Sequence, residues 1–73
     1  MTKNEKKILF ALARQSDKMY DHANDSLWRD RYIHESMAID SVMMAFGVFQ
    51  EYHEMSDEQL DTYVREVWKQ LYE

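Results

Sequence analysis

The sequence predicts an all-α fold, a small antiparallel bundle of three helices with a long central helix, on the strength of three observations. The chain of 73 residues contains one glycine and no proline, so little in it breaks a helix. Two pairs, Thr2 with Glu5 and Ser56 with Gln59, have the spacing of a capping box, which marks a helix start. Residues 36–49 form an apolar stretch between charged flanks, which is typical of a packed central segment.

Length and composition narrow the class of protein. A chain of this size is expected to form one domain, residues 1–73, with a modest core. It has no cysteine, which excludes disulfides and thiolate metal sites. The apolar stretch is shorter than the ~20 residues of a membrane span and is interrupted by Asp40. The apolar run of residues 8–13 is too short for an export signal and ends at Arg14. We therefore expect no membrane association and a cytoplasmic location.

The first helix is expected to begin at Thr2. Its apolar side chains share one face at helical spacing. These are Ile8, Leu9, Leu12, Met19, Tyr20 and Ala23, with Ser16 among them. Phe10 falls on the opposite side and is expected to be exposed.

Residues 23–26 are predicted to form a turn. Asn24, Asp25 and Ser26 are all good N-cap residues, and a chain that did not turn here would have to associate in order to bury its apolar faces. Because Leu27 continues the apolar stripe of the first helix, a kink within one longer helix is the alternative.

The central helix is predicted to run from Leu27 to Glu54. Its apolar side chains fall on two opposite faces, so it should be covered on two sides by the other helices. One stripe contains Trp28, Tyr32, Ile39, Val42, Phe46 and Phe49, and the other contains Ile33, Met37, Met44 and Val48.

Asp40 lies between these two stripes, on one line with Ser36 and Gly47. If this line is buried, Asp40 needs a partner, because an unpaired buried carboxylate is costly. The alternative is that the line faces solvent, where an aspartate needs no explanation.

The third helix is expected to follow the Ser56 cap. Its apolar stripe contains Leu60, Val64, Val67 and Leu71, with Trp68 and Tyr72 at the edge. Phe10, Trp68 and Tyr72 are therefore the large aromatic side chains expected at an interface, since aromatic residues dominate binding hot spots.

Catalytic and metal-binding functions have little support. The three histidines (His22, His34, His53) lie near carboxylates but lack the Glu-x-x-His or His-x-x-x-His spacing of helical metal sites. No serine lies in a Gly-x-Ser-x-Gly turn, and one glycine cannot form a phosphate-binding loop. We expect no enzyme activity, no cofactor and no metal.

Charge is divided unevenly along the chain. Residues 1–18 carry a net charge of +3 and residues 19–73 a net charge of −8. Five carboxylates follow one another without a cation: Glu51, Glu54, Asp57, Glu58 and Asp61. Such a field favours a basic partner and disfavours nucleic acid.

These observations predict a small, acidic, non-catalytic helical module that binds another protein, with a basic partner favoured, or binds itself as a homodimer. The five carboxylates and the three aromatic residues are the expected contacts. An acidic mimic of nucleic acid that blocks a basic cleft is the alternative. A less favoured one is a DNA-binding regulator that acts through its N-terminal cations: Lys3, Lys6, Lys7, Arg14 and Lys18.

Overall fold

The computed structural model describes residues 1–72, which form four α-helices and no strand, with 86% of these residues helical. The helices are α1 (Lys3–His22), α2 (Ser26–Ala45), α3 (Phe49–Glu54) and α4 (Asp57–Tyr72). The predicted all-α class is confirmed. The predicted helix over residues 27–54 is instead divided into α2 and α3, so there are four helices where three were expected.

Both predicted capping boxes are present. The Thr2 backbone N–H donates to Glu5 Oε1 at 2.8 Å, and the Glu5 N–H donates to Thr2 Oγ1 at 3.0 Å. The Ser56 N–H donates to Gln59 Oε1 at 3.1 Å, and the Gln59 N–H donates to Ser56 Oγ at 3.2 Å. Each box satisfies two backbone donors that a helix start leaves free, which fixes where α1 and α4 begin.

The predicted turn between the first two helices is also present. α1 ends at His22, and the Asp25 side chain accepts a hydrogen bond from the Leu27 N–H at 2.7 Å, which caps α2. The alternative of one continuous helix is therefore wrong.

Gly47 divides the predicted long helix. Its φ of +73° lies in the left-handed region, and the Val48 N–H donates to the Met43 carbonyl at 2.9 Å. The Gly47 N–H donates to the Met44 carbonyl at 3.1 Å. This is the Schellman pattern, in which a glycine just past the helix end reverses the backbone and satisfies the last carbonyls.

α1, rather than the predicted central segment, lies in the middle of the molecule, because α2 and α4 both pack against it. The side-chain contacts of α1 with α2 and with α4 show that each pair of helices is antiparallel. Ser16 meets Ser36 on the α2 side, whereas Asn4 meets Gln70 and Arg14 meets Asp61 on the α4 side. The three long helices thus lie side by side and antiparallel, with α1 between the other two.

The core lies beneath α1, where α2, α3 and α4 converge. Its buried members are Phe10, Ala13, Met43, Tyr52 and Leu60. The Phe10 ring is 0% exposed and meets the Tyr52 ring edge-on at 5.4 Å. The expectation that Phe10 would be exposed is therefore wrong, because α3 folds under α1 and covers the side that two neighbours alone would have left open.

The molecule is flat, with extents of 35 × 30 × 20 Å. Its radius of gyration is 12.4 Å, against about 11 Å for an average compact domain of this length. Three helices side by side make one layer about 10 Å thick, and the short α3 adds a partial second layer on one side only. The opposite side of the layer has no covering element among residues 1–72.

Candidate interaction surface

The uncovered side of α1 is apolar. Ile8, Leu12 and Met19 repeat at helical spacing with Gln15 between them, on the side away from Phe10. Ile8 is half-buried, and Leu12 and Met19 are exposed. The sequence pattern had placed these residues in the core, and the structure instead leaves this stripe facing outward.

α4 extends this stripe on one side. Leu12 and Gln15 line a shallow depression together with Val64 and Trp68 of α4. Leu71, one turn beyond Trp68, is exposed. The α1–α4 boundary is therefore apolar on the uncovered side.

α2 extends it on the other side. Met19 and Ala23 of α1 line a second depression with Trp28 and Tyr32 of α2. Along α2, the same row continues at helical spacing through Ile39 and Val42 to Phe46. We call the surface formed by these three rows the open face. Its exposed members are Leu12, Met19, Trp28, Val42, Phe46, Trp68 and Leu71.

The open face is large for a chain of this size. Its seven exposed side chains have exposed fractions between 39% and 61%. At about 150–250 Å² per aromatic side chain, the rings of Trp28, Phe46 and Trp68 alone leave roughly 300 Å² exposed to water. A contiguous apolar patch above a few hundred Å² is typical of an interaction site.

The opposing charges of the sequence are used inside the fold. Cations of α1 pair with carboxylates of α3 and α4, at N–O distances between 2.6 and 3.6 Å. The pairs are Lys6–Glu51, Lys7–Glu66, Arg14–Asp57, Arg14–Asp61 and Lys18–Asp61. The basic first helix is therefore complementary to the acidic C-terminal part of the same chain.

Arg14 is the most buried of these cations. Its Nε donates to Asp61 Oδ1 at 2.9 Å, and its side chain is only 18% exposed. This hydrogen bond lowers the pKa of the Asp61 carboxyl below its ordinary value. The pair links the middle of α1 to the first turns of α4.

The predicted partner-binding carboxylates fall into two groups. Glu51, Asp57 and Asp61 are paired with α1. Glu54 accepts a hydrogen bond from Gln50 Nε2 at 3.2 Å within α3, and Glu58 is exposed. The five side chains thus do not form one free acidic surface.

The predicted aromatic contacts also separate. Phe10 lies in the core, whereas Trp68 belongs to the open face. Tyr72 is exposed beside Trp68, with the two ring centroids 5.4 Å apart. Two of the three expected aromatic side chains therefore remain available for contact.

Sequence reasoning missed Leu12, Met19, Trp28, Val42 and Phe46 as surface residues. All five lie in apolar stripes at helical spacing, which ordinarily indicate core. The available signal was that the chain carries more apolar stripes than three helices in a single layer can cover. Which stripes remain outside depends on where α3 docks.

A polar cluster joins α1, α2 and α3 beneath the layer. Tyr52 Oη donates to Asp17 Oδ2 at 2.7 Å, and Ser36 Oγ donates to Asp17 Oδ1 at 3.1 Å. Ser16 and Ser36 hydroxyls lie 3.0 Å apart. Burial, together with the nearby Asp17 carboxylate, raises the pKa of Tyr52. The phenol therefore remains protonated and donates to Asp17.

Asp40 lies next to this cluster, partly buried on α2. Burial raises the pKa of the Asp40 carboxyl, repulsion from Asp17 raises it further, and His53 of α3 opposes the shift. Within residues 1–72, Asp40 has neither a hydrogen-bond partner nor an ion-pair partner. The line of Ser36, Asp40 and Gly47 on the helix surface is thus neither fully buried nor fully exposed to solvent, which lies between the two predicted alternatives.

The described part of the chain offers no metal site, since no group of three or more His, Asp or Glu side chains is arranged to hold an ion. His53 packs edge-on against Phe49, with ring centroids 4.4 Å apart, and His34 lies 3.8 Å from Asp30 on the surface of α2. None of the four helices has the length and apolar character needed to cross a membrane.

Comparison with known proteins gives no assignment: no family model, no curated protein and no solved structure matches this chain.

Proposed function

We propose that this chain is a small, non-catalytic helical interaction module that pairs with a second copy of itself through the open face. The observation that carries the proposal is the set of exposed apolar rows on α1, α2 and α4, which two depressions join on the uncovered side of the layer. The preferred symmetry is a two-fold dimer, in which the same patch serves both partners.

The layer structure supports a second copy as the occupant. Stable domains are built from at least two packed layers of secondary structure, whereas this chain has one full layer and the short α3. A second copy stacked on the open face supplies the missing layer. It turns a body 20 Å thick into one about twice as thick, close to the two longer extents of 35 and 30 Å.

The exposed area supports it as well. The chain exposes 5332 Å², whereas a compact monomer of 8.9 kDa is expected to expose about 4,800 Å². The excess of about 500 Å² is a large part of the roughly 800 Å² that each partner buries in a standard interface.

The charge distribution of the open face also favours self-pairing. Gln15 is the central polar residue of the α1 row, and Glu35 is the acidic residue in the α2 row. Arg31 stacks over Trp28 of the α2 row at 5.2 Å, so this row carries a cation as well as a carboxylate. The ion pairs of α1 lie at its side and beneath the layer, so two copies can approach without opposing their net charges directly.

The internal ion pairs weaken the two nucleic-acid alternatives. Three of the five carboxylates that would imitate a phosphate backbone are already paired with α1. Four of the five cations that would contact DNA, namely Lys6, Lys7, Arg14 and Lys18, take part in the same pairs. Binding either class of partner would have to compete with these contacts.

The test is the molar mass in solution as a function of concentration, measured by sedimentation equilibrium. The wild-type chain is expected to be dimeric at micromolar to high micromolar concentration. Leu12→Glu, which places a charge in the middle of the open face, is expected to be monomeric with unchanged helical circular dichroism.

Met44→Glu is the matched control, because Met44 is 58% exposed against 46% for Leu12 but lies on the other edge of α2. It should remain dimeric. A wild-type chain that is strictly monomeric at high micromolar concentration would overturn the proposal, as would a dimer disrupted by Met44→Glu and not by Leu12→Glu.

A further inference from the structure

A second exposed row runs along α2 on the edge away from the open face. Ile33, Met37 and Met44 lie on it at helical spacing, and Asp40 lies between the two methionines. Met37 and Met44 are each 58% exposed. Methionine adapts its shape to irregular partners and is common in binding grooves. We call this surface the Met row.

Asp40 is the unusual member of the Met row. A partly buried carboxylate ordinarily has a cation or several hydrogen-bond donors beside it. In residues 1–72 Asp40 has none, and the neighbouring Asp17 accepts hydrogen bonds only from the Tyr52 and Ser36 hydroxyls, without a salt bridge. Two carboxylates therefore share this side of α2 without a neutralising lysine or arginine.

The arginines of α2 and four cations of α1 are engaged in other contacts. Arg29, which lies on the same line of α2 as Asp40, stacks over the Tyr20 ring at 5.3 Å from its centroid. Arg31 stacks over Trp28 at 5.2 Å. Lys6, Lys7, Arg14 and Lys18 of α1 pair with carboxylates of α3 and α4. Among the basic groups of residues 1–72, His53 is the one that lowers the pKa of Asp40. Its imidazole packs against Phe49.

From this charge imbalance inside an apolar row, we infer that the Met row is a second docking surface. Its occupant is an amphipathic helical segment of another protein that places a lysine or arginine on Asp40, with apolar side chains against Ile33, Met37 and Met44. An amphipathic helix laid against an apolar groove is a common mode of peptide recognition. The proposal is independent of the open face, because the two rows lie on different edges of α2.

The spacing of the Met row determines the pattern of residues that the partner helix must carry. Met37 and Met44 are seven residues apart, so their side chains lie about 10 Å apart along the helix axis. A partner helix that contacts both presents apolar residues at the same separation. Its basic residue falls between them, three or four positions from each.

The experiment is selection from a random library of 16-residue displayed peptides, panned on the wild-type protein and counter-selected on Asp40→Asn. The enriched sequences are expected to carry Lys or Arg three or four positions from apolar residues. A synthetic peptide from this set should bind the wild type at least tenfold more tightly than it binds Asp40→Asn, with an affinity that falls as salt rises.

Three further variants separate the explanations. Met37→Ala should weaken peptide binding, whereas Glu58→Gln, which removes an exposed carboxylate on α4, should not. Leu12→Glu should also leave peptide affinity unchanged, so that a failure of dimer formation and a failure of peptide docking are distinguishable. The proposal is overturned if the enriched peptides lack a basic residue, if they bind Asp40→Asn equally well, or if the library yields no peptide.

Discussion

α1 and α2 are both 20 residues long, yet they use their apolar side chains in opposite ways. α1 has eight apolar residues and α2 has eleven. α1 nevertheless buries four side chains completely, and α2 buries only Ser36 and Met43. The less apolar helix is the more deeply buried one.

The difference lies in the number of neighbours. α1 has α2 on one side, α4 on the other and α3 beneath, and its cations match the carboxylates of α3 and α4. α2 packs on α1, with α3 at its C-terminal end. Which side chains are buried in this molecule thus depends on how many neighbouring helices each helix has. Apolar content beyond what the neighbours cover becomes exposed surface.

The largest effect is expected when a phenylalanine of α1 and one at the end of α2 are each replaced by alanine. Phe10→Ala on α1 should destabilise the fold by about 3–5 kcal/mol, because it empties the centre of the core. Phe46→Ala at the end of α2 should cost far less in dilute solution, where the side chain is 57% exposed. Urea unfolding measures both in the Leu12→Glu background, which is expected to be monomeric, so that pairing of copies does not contribute. If Phe10→Ala prevents folding altogether, Phe10→Leu serves in its place. Similar losses for the two positions would contradict the arrangement of helices.

The sequence had ranked these two residues in the reverse order, and the reason is physical. Helical periodicity identifies which residues share a face, and it placed Phe10 and Leu12 correctly on different faces of α1. It cannot tell which face meets a neighbour when both are apolar. The docking of α3 beneath α1 decides that, and it follows from a backbone reversal at Gly47 that the pattern did not reveal.

Local signals were more dependable than the long-range ones. The capping boxes at Thr2 and Ser56 and the turn before Leu27 depend on residues within four positions of each other, and all three are present. The open face and the unpaired Asp40 depend on contacts between helices. The basic N-terminal segment and the acidic C-terminal segment are both evident in the sequence. They predict an external basic partner, because no local pattern shows that the first helix packs against the acidic segment of the same chain.

A smaller effect is expected at the polar link between α1 and α3. Tyr52→Phe removes the hydrogen bond to the Asp17 carboxylate at 2.7 Å. The loss should be about 1.5–3 kcal/mol, as for other hydrogen bonds to a charged group. The free energy of unfolding from urea titration measures it, with Tyr72→Phe on the exposed end of α4 as the control. If Tyr52→Phe left the free energy of unfolding unchanged, apolar contacts alone would hold α3 under α1.

The reversal that ends α2 can be tested at Gly47. Gly47→Ala should cost about 1–2 kcal/mol, because a side chain at positive φ strains the backbone. Nothing lies within 4 Å of the position a Cβ would take, so crowding adds no further cost. Thermal unfolding should show the loss. A stable Gly47→Ala would indicate that α2 and α3 can form the continuous helix that the sequence first suggested.

The cap of α4 should contribute somewhat less. Ser56→Ala removes the oxygen that accepts from the Gln59 N–H at 3.2 Å and should cost about 1 kcal/mol. Ser41→Ala is the control, since the Ser41 hydroxyl only donates to the Met37 carbonyl in the middle of α2. An equal response of the two variants would mean that α4 does not depend on its capping box.

The smallest expected effect has the opposite sign. Asp40→Asn should stabilise the fold by less than about 1 kcal/mol at neutral pH, because it removes a partly desolvated charge that Asp17 repels while solvent screens the rest. The pKa of Asp40 is raised above its ordinary value of 3.8, so the folded protein takes up a proton here before the unfolded chain does. The penalty is therefore fully present above the raised folded pKa, shrinks as pH falls through it, and is absent below about 3.8. The melting temperatures of wild type and Asp40→Asn should accordingly differ at pH 7 and converge in acid. A destabilised Asp40→Asn would mean that the carboxylate already has a stabilising contact within the fold. The Met row would then lose the unpaired charge from which its basic partner was inferred.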